Sequence, residues 1–274
     1  MVRQPRAFTL IELLVVIAVI AVLIGILVPA LASARRAGIA LACMSNIRQL
    51  EMAHVGYIND HKEWFVDAGL GHGGPSSPEA CWPVALADYV GQSRPVIRSP
   101  GDKSPYWPIE KGGTSTGLTF DQAMEQLAAG QAVTTPQLAR WTSYGLNAFT
   151  TRFAQPSVQH PETGRWLGPW DRLSRIPQPE ATVHFLQMTE GNDGDPSGYA
   201  RSDHVHPEDW GLLGTAFAPQ AAAAQMEAAA HGGKAGSWGA TANYGFLDGH
   251  AATLRFSDVY TEPFKNNFIP DFAH

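Results

Sequence analysis

The apolar residues of this chain are unevenly distributed. From Leu13 to Ala34 there are 22 residues without a charge, most of them Leu, Val, Ile and Ala. As a helix this run is about 33 Å long, enough to cross the hydrocarbon core of a bilayer. Arg3 and Arg6 precede it; Arg35 and Arg36 follow. Past Ala34 the pattern changes. Apolar or small residues recur at Ile39, Cys43, Ile47, Leu50, Ala53 or His54, and Tyr57, in steps of three or four. The opposite face carries Arg36, Asn46, Arg48, Gln49 and Glu51. That is the period of an amphipathic helix. No Gly/Ser/Pro-rich linker separates the two stretches, so the pattern predicts one helix from Phe8 to near Asn59, about 78 Å long at the standard rise. Its second half would lay one stripe on a globular head.

The remaining chain reads as short elements among loops. Ser77-Pro78-Glu79 predicts a helix start with an N-cap and Pro at N1, ending at Gly91. Thr119-x-x-Gln122 is a capping box opening a helix that ends at Gly130. Phe217–Ala230 is Ala-rich and predicts a helix. Strands are expected over Ser143–Phe149, Thr182–Met188, Thr241–Leu247 and Ala251–Phe256. The last two flank Asp248-Gly249, a two-residue hairpin signal if His250 opens the return strand. Segment 150–180, rich in Pro, Gly, Trp and Arg, reads as ordered loop. The fold class is α+β: a long N-terminal α-helix, transmembrane then amphipathic, packed on a loop-rich head with a small antiparallel β-sheet.

Composition narrows the class. The chain of 274 residues is 45% hydrophobic and 16% charged, which excludes wholesale disorder. Gly and Pro together number 47 without a Gly-x-y period, so the head is loop-rich and not collagenous. A net charge of −6 offers no general attraction to nucleic acid. Two cysteines are too few for a disulfide scaffold or a four-cysteine zinc site.

Three readings of the N-terminus compete. One is an ordinary signal peptide cut after Ala32-Ser33-Ala34. Another is a plain membrane anchor. The third is a leader cut before the apolar run, with the run retained. The residues Arg6-Ala7-Phe8-Thr9-Leu10-Ile11-Glu12-Leu13-Leu14-Val15-Val16-Ile17 favour the third. They resemble the prepilin signal of type IV pilins and type II secretion pseudopilins, in which a basic leader is cut before Phe and Glu stands fifth in the mature chain. The resemblance implies a leader over residues 1–7, cleavage between Ala7 and Phe8, N-methylation of Phe8 and an assembly role for Glu12. A carboxylate at the head of an apolar span is costly and requires a functional reason. The family usually has Gly before the cut; Ala7 stands there in this chain. Pro29 falls where these proteins often carry a helix-weakening proline.

Further motifs resemble the large-headed pseudopilin-like branch common in Planctomycetes and relatives. Ala42-Cys43-Met44-Ser45-Asn46-Ile47-Arg48-Gln49-Leu50 and Tyr57-Ile58-Asn59-Asp60 are of this kind. Ser99-Pro100-Gly101-Asp102 stands where the branch often has Cys-Pro-Ser-Asp, here without its Cys. Thr142-Ser143-Tyr144-Gly145-Leu146-Asn147 is similar to its Ser-Tyr-x-x-Asn strand. His231 followed by Asn243-Tyr244-Gly245-Phe246-Leu247-Asp248-Gly249-His250 resembles its His…Asp-Gly signature, with an insertion over Ala235–Thr241. The terminal Asn267–Ala273 also fits. The resemblance implies segments 8–34 in the membrane or filament core, 35–62 as the amphipathic half and 63–274 as the head. It also implies as partners a prepilin peptidase, other pseudopilin subunits and an inner-membrane assembly platform. The head would lie in the periplasm or outside.

Other residues offer chemistry. Glu190, Asn192, Asp193 and Asp195 place four oxygen-bearing side chains within six residues, a set suited to calcium, although Asn-Asp-Gly is also ordinary turn chemistry. Asp203-His204-x-His206 with Asp209 either ligates a transition metal or forms a polar loop. His231 and Asp248 are expected as a structural pair pinning loop to hairpin, not as an acid–base couple. Cys43 and Cys81 either form a disulfide or remain buried thiols. Eight tryptophans either pack the head or present a carbohydrate- or partner-binding face, the basis of the alternative that the chain is a membrane-anchored binding module. No Gly-x-Ser-x-Gly, Walker loop or His-Glu-x-x-His occurs, so no enzyme activity is expected.

Overall fold

The computed structural model describes residues 10–71, 77–90, 97–134, 137–152, 158–191 and 198–274. It divides into two compact units, Met1–Ile39 and Ala40–His274.

Helix α1 runs Leu10–Asp60, 51 residues with Pro29 inside. In the first unit every described residue from Leu10 to Gly38 is exposed, including the run of Leu, Val and Ile side chains. A helix apolar all round is stable only in a membrane or within an assembly. By length and composition it suffices to cross a bilayer.

In the second unit α1 buries Cys43, Ile47, Leu50, Glu51, Ala53, His54, Tyr57 and Ile58. The stripe read from the sequence is buried from Cys43 to Tyr57, with Ile39 only half-buried; of the residues assigned to the polar face, Asn46 is half-buried against the head and Glu51 is fully buried. Glu51 follows Ile47 by one turn and adjoins His54, so it lies on the margin of the stripe, where polar partners on the sheet draw it in. The helix stops because Lys62 and Glu63 take positive φ values of 55° and 66° and Glu63 N–H donates back to Ile58 O at 2.8 Å.

In chain order α2 (Trp82–Ala85) and α3 (Phe120–Ala128) come between α1 and the first strand. The helix expected from Ser77 to Gly91 is broken. A 3-10 turn covers Pro78–Ala80, Cys81 is extended, and α2 restarts with Pro83 in its first turn. Ser77 makes no side-chain cap, and Gly91 lies outside the described residues. Pro83 has no N–H to offer Glu79 O, so a helix begun at Pro78 cannot run through it; Trp82 beside it is buried edge-on to Phe185 at 5.0 Å. The Thr119/Gln122 capping box forms as expected.

The strands are β1 (Tyr144–Asn147), β2 (Val183–Gln187), β3 (His204–Val205), β4 (Thr241–Phe246) and β5 (Ala251–Arg255). Their order is β3-β1-β2-β4-β5. Helix α4 (Ala218–Gln225) precedes β4, and α5 (Phe256–Val259) follows β5. A separate antiparallel ribbon pairs β6 (Tyr260–Glu262) with β7 (Lys265–Asn266). The main sheet is mixed, not purely antiparallel, because β3 joins β1 in parallel at Leu146↔His204. Helix α4 is shorter than expected: Met226 turns extended and bridges Met188. The β4–β5 turn is also wider than two residues. Phe246 N–H donates to His250 O at 3.0 Å, leaving Leu247, Asp248 and Gly249 between, with Gly249 at φ +97°.

One core joins Ile47, Leu50, Ala53 and Tyr57 of α1 to Tyr144, Leu146 and Phe185. A second lies behind the sheet, where Leu186, Ala242 and Tyr244 meet Ala218 and Ala222 of α4 and Trp210. A third packs Leu70, Cys81 and Trp141 around Ala123 of α3.

Candidate assembly segment and helix–sheet junction

Ala7 and Phe8 lie outside the described residues. Glu12 stands in the first turn of α1, where a carboxylate suits the helix dipole.

The head motifs converge on α1. Cys43 Sγ is 3.0 Å from Ser99 Oγ. Asn46 donates to Arg98 O and to Tyr144 Oη, both at 3.2 Å. Ser143 Oγ accepts from Ser99 N–H at 2.9 Å and donates to Asp102 Oδ2 at 2.5 Å. Asp102 Oδ2 also pairs with Arg140 Nε at 2.9 Å, both side chains being inaccessible. Arg140 Nη1 further donates to Thr189 O at 2.6 Å and Ala200 O at 2.5 Å. Asn147 Nδ2 donates to Val183 O and, at 2.6 Å, to Phe268 O, tying the C-terminal segment to β1. Asn243 Nδ2 reaches Ala40 O of α1 at 2.8 Å. Of these contacts, those of Cys43, Asn46 and Asn243 join α1 to the head, and the others tie the head together.

The junction of α1 with β2 has a feature of its own. Against β4, Val183 pairs with Phe246 and Leu186 with Tyr244, so β2 carries one extra residue. This bulge gives both His184 and Phe185 contacts on the α1 side. Glu51 Oε1 accepts the Phe185 N–H at 3.0 Å, and Glu51 Oε2 lies 2.9 Å from His184 Nδ1. The His54 ring sits 4.3 Å from that of His184. Gly245 faces the same place: a Cβ there would overlap Glu51 Oε1 and Ile47 Cγ2. All three ionisable side chains are fully buried. Burial raises the Glu51 carboxyl well above its ordinary value. Burial, reinforced by His184, holds His54 well below its own, and burial takes His184 down to about 3. Among the described residues His54 Nδ1, His54 Nε2 and His184 Nε2 have no hydrogen-bond partner. Sequence reading missed Glu51 and His184. The available signals were a Glu-x-x-His pair on an apolar stripe and a histidine inside the buried run Val183–Gln187.

The other expected sites are placed differently. Asn192, Asp193 and Asp195 lie outside the described residues; Glu190 is half-buried, which raises its carboxyl pKa, and its carbonyl accepts from Ser104 Oγ at 2.5 Å. Asp203 accepts the N–H groups of Gly69 and Leu70, His204 Nδ1 is 3.0 Å from Asp203, and His206 Nδ1 is 2.9 Å from Glu208. Each imidazole thus meets a local carboxylate, and these residues do not gather as one metal-ligand cluster among the described residues. His231 and Asp248 are not hydrogen-bonded to each other. His231 Nε2 meets Asn243 Nδ2 at 2.9 Å, whereas Asp248 Oδ1 pairs with His250 Nδ1 at 2.6 Å. The turn folds Asp248 onto its own return strand, so the loop is pinned to β4 through Asn243 instead. Cys43 and Cys81 are both buried free thiols. Of the tryptophans, Trp82, Trp107, Trp141, Trp170 and Trp210 are buried and Trp166 is exposed. Trp64 stacks under Arg172 at 3.8 Å. Most of the indole surface packs the head.

Residues 3–28 match the family described as Prokaryotic N-terminal methylation motif. No curated protein and no solved structure matches the chain. The matched segment holds Ala7, Phe8 and Glu12 and enters α1, whose exposed apolar face is suited to a membrane. The chain therefore carries a prepilin-type methylation signal on an apolar N-terminal helix, the hallmark of a type IV pilin-like subunit.

Proposed function

We propose that the chain is a structural subunit of a type II secretion or type IV pilus-like filament, and not an enzyme. It is inserted in the inner membrane as a single-pass precursor with its head on the far side. A prepilin peptidase cuts between Ala7 and Phe8 and methylates the new amine. Subunits then leave the bilayer by packing their apolar helices together on an assembly platform.

The observation that carries this reading is the methylation motif over residues 3–28 leading into a helix whose apolar side chains are exposed on every side. Such a surface needs lipid before assembly and other helices after it. The head supports the same reading, because its Ser99–Asp102, Ser143–Asn147 and Asn243 motifs hydrogen-bond to structural partners. The test is the N-terminal mass of the mature protein from membranes. A chain starting at N-methylated Phe8 is expected; a start at Arg35 would replace this reading with a secreted protein.

A further inference from the structure

We propose that Glu51, His54 and His184 form a buried site for one divalent transition metal of the zinc type, clamping α1 to β2. This is independent of the filament reading. One ligand atom from each of the three lies within 4.8 Å of the others. Tetrahedral ligands on such a metal stand about 3.4 Å apart, so a small contraction brings them into its shell. Two imidazoles and a carboxylate suit zinc, cobalt or iron; calcium and magnesium prefer an all-oxygen shell.

The orphaned ring nitrogens point the same way. His54 is fully buried with neither nitrogen hydrogen-bonded, and His184 Nε2 is bare as well. A buried polar atom without a partner costs about 1–3 kcal/mol, and the two on His54 make a leucine the better residue at position 54 unless something binds there. The surroundings are prepared for ligation. Glu51 and His54 stand three residues apart on one face of α1. The bulge in β2 turns His184 towards them, and the Phe185 amide it frees anchors Glu51 Oε1. Glu51 Oε2 already lies 2.9 Å from His184 Nδ1, so a cation entering there takes that oxygen and that nitrogen as neighbouring ligands in place of their direct contact.

The test uses the full-length, tag-free protein purified in detergent from zinc-replete cells. Elemental analysis should find about one equivalent of transition metal per chain, retained because the site is closed to solvent. Refolding in Co(II) should give visible ligand-field bands that the metal-free protein lacks. Stripping the metal should lower the thermal midpoint by about 5–10 °C. His54→Leu keeps the Glu51–His184 contact and should lose the metal. X-ray absorption of the wild-type metal should count two imidazoles, a measurement that stands even if the variant does not fold. Absence of metal both as purified and after refolding in Co(II), or a shell without imidazole, would overturn the proposal. So would a folded His54→Leu protein that keeps its full complement.

Discussion

The Sγ of Cys43 on α1 lies 3.0 Å from the Oγ of Ser99, fully buried against it. Two short side chains in contact, one on α1 and one on the head, mark a place for a covalent link between helix and head. Ser99→Cys should form a disulfide with Cys43 under oxidising conditions, leaving the distant Cys81 free. Closing so long a loop should stabilise the chain by roughly 2–4 kcal/mol. Non-reducing peptide mapping and a thermal midpoint with and without reductant check this; two free thiols at 43 and 99 after oxidation would show that the Cα positions are unsuited.

Gly245 permits the close approach of β4 to α1. Gly245→Ala should destabilise the protein by about 1–3 kcal/mol, since both Glu51 and Ile47 must shift to admit a methyl group. Gly239→Ala, where an added Cβ meets nothing, is the control. Chemical denaturation in detergent should separate the two.

Arg140 is inaccessible and pairs with Asp102. Arg140→Met strands a buried carboxylate and should cost about 3–5 kcal/mol. Adding Asp102→Asn should recover part of that loss, because the remaining side chain is neutral. Equal midpoints for the single and double variants would count against a charge effect.

Burial alone would lower the His206 pKa, but the hydrogen bond and charge of Glu208, with Asp209, raise it above the ordinary value. Its folded pKa exceeds its unfolded one. The associated stability is therefore fully present below about pH 6.5 and is lost as pH rises through the folded pKa. Histidine NMR titration should place His206 above 6.5, and Glu208→Gln should move it downward.

Glu12 follows Phe8 by four residues in the chain. On the proposed filament reading, the amine that leader cleavage exposes on a staggered neighbour would be the partner for its carboxylate. Glu12→Val should leave leader cleavage nearly intact and keep the protein in the membrane, yet block its recovery in sheared filaments. Glu12→Asp should be partly impaired, its shorter side chain reaching less far. Normal recovery of Glu12→Val would remove the pairing role and favour a membrane-anchored binding module.

The sequence by itself determined the features governed by local period and local chemistry. The continuous α1, the apolar run after Glu12, the capping box at Thr119 and the positions of β1, β2, β4 and β5 follow from side-chain spacing, which acts over a few residues. The tertiary structure decided whatever depends on residues far apart in the chain. The Trp82 ring meets Phe185, 103 residues further along the chain. Parallel pairing of β3 depends on where a long connection returns. Asp248 turns to His250 within a hairpin one residue wider than expected, and His231 reaches Asn243 on the neighbouring strand. Glu51 shows the division most clearly. On a helical wheel it is a charged residue at the edge of an apolar stripe and reads as solvated. Only a bulge 133 residues away supplies the imidazole that draws it inside.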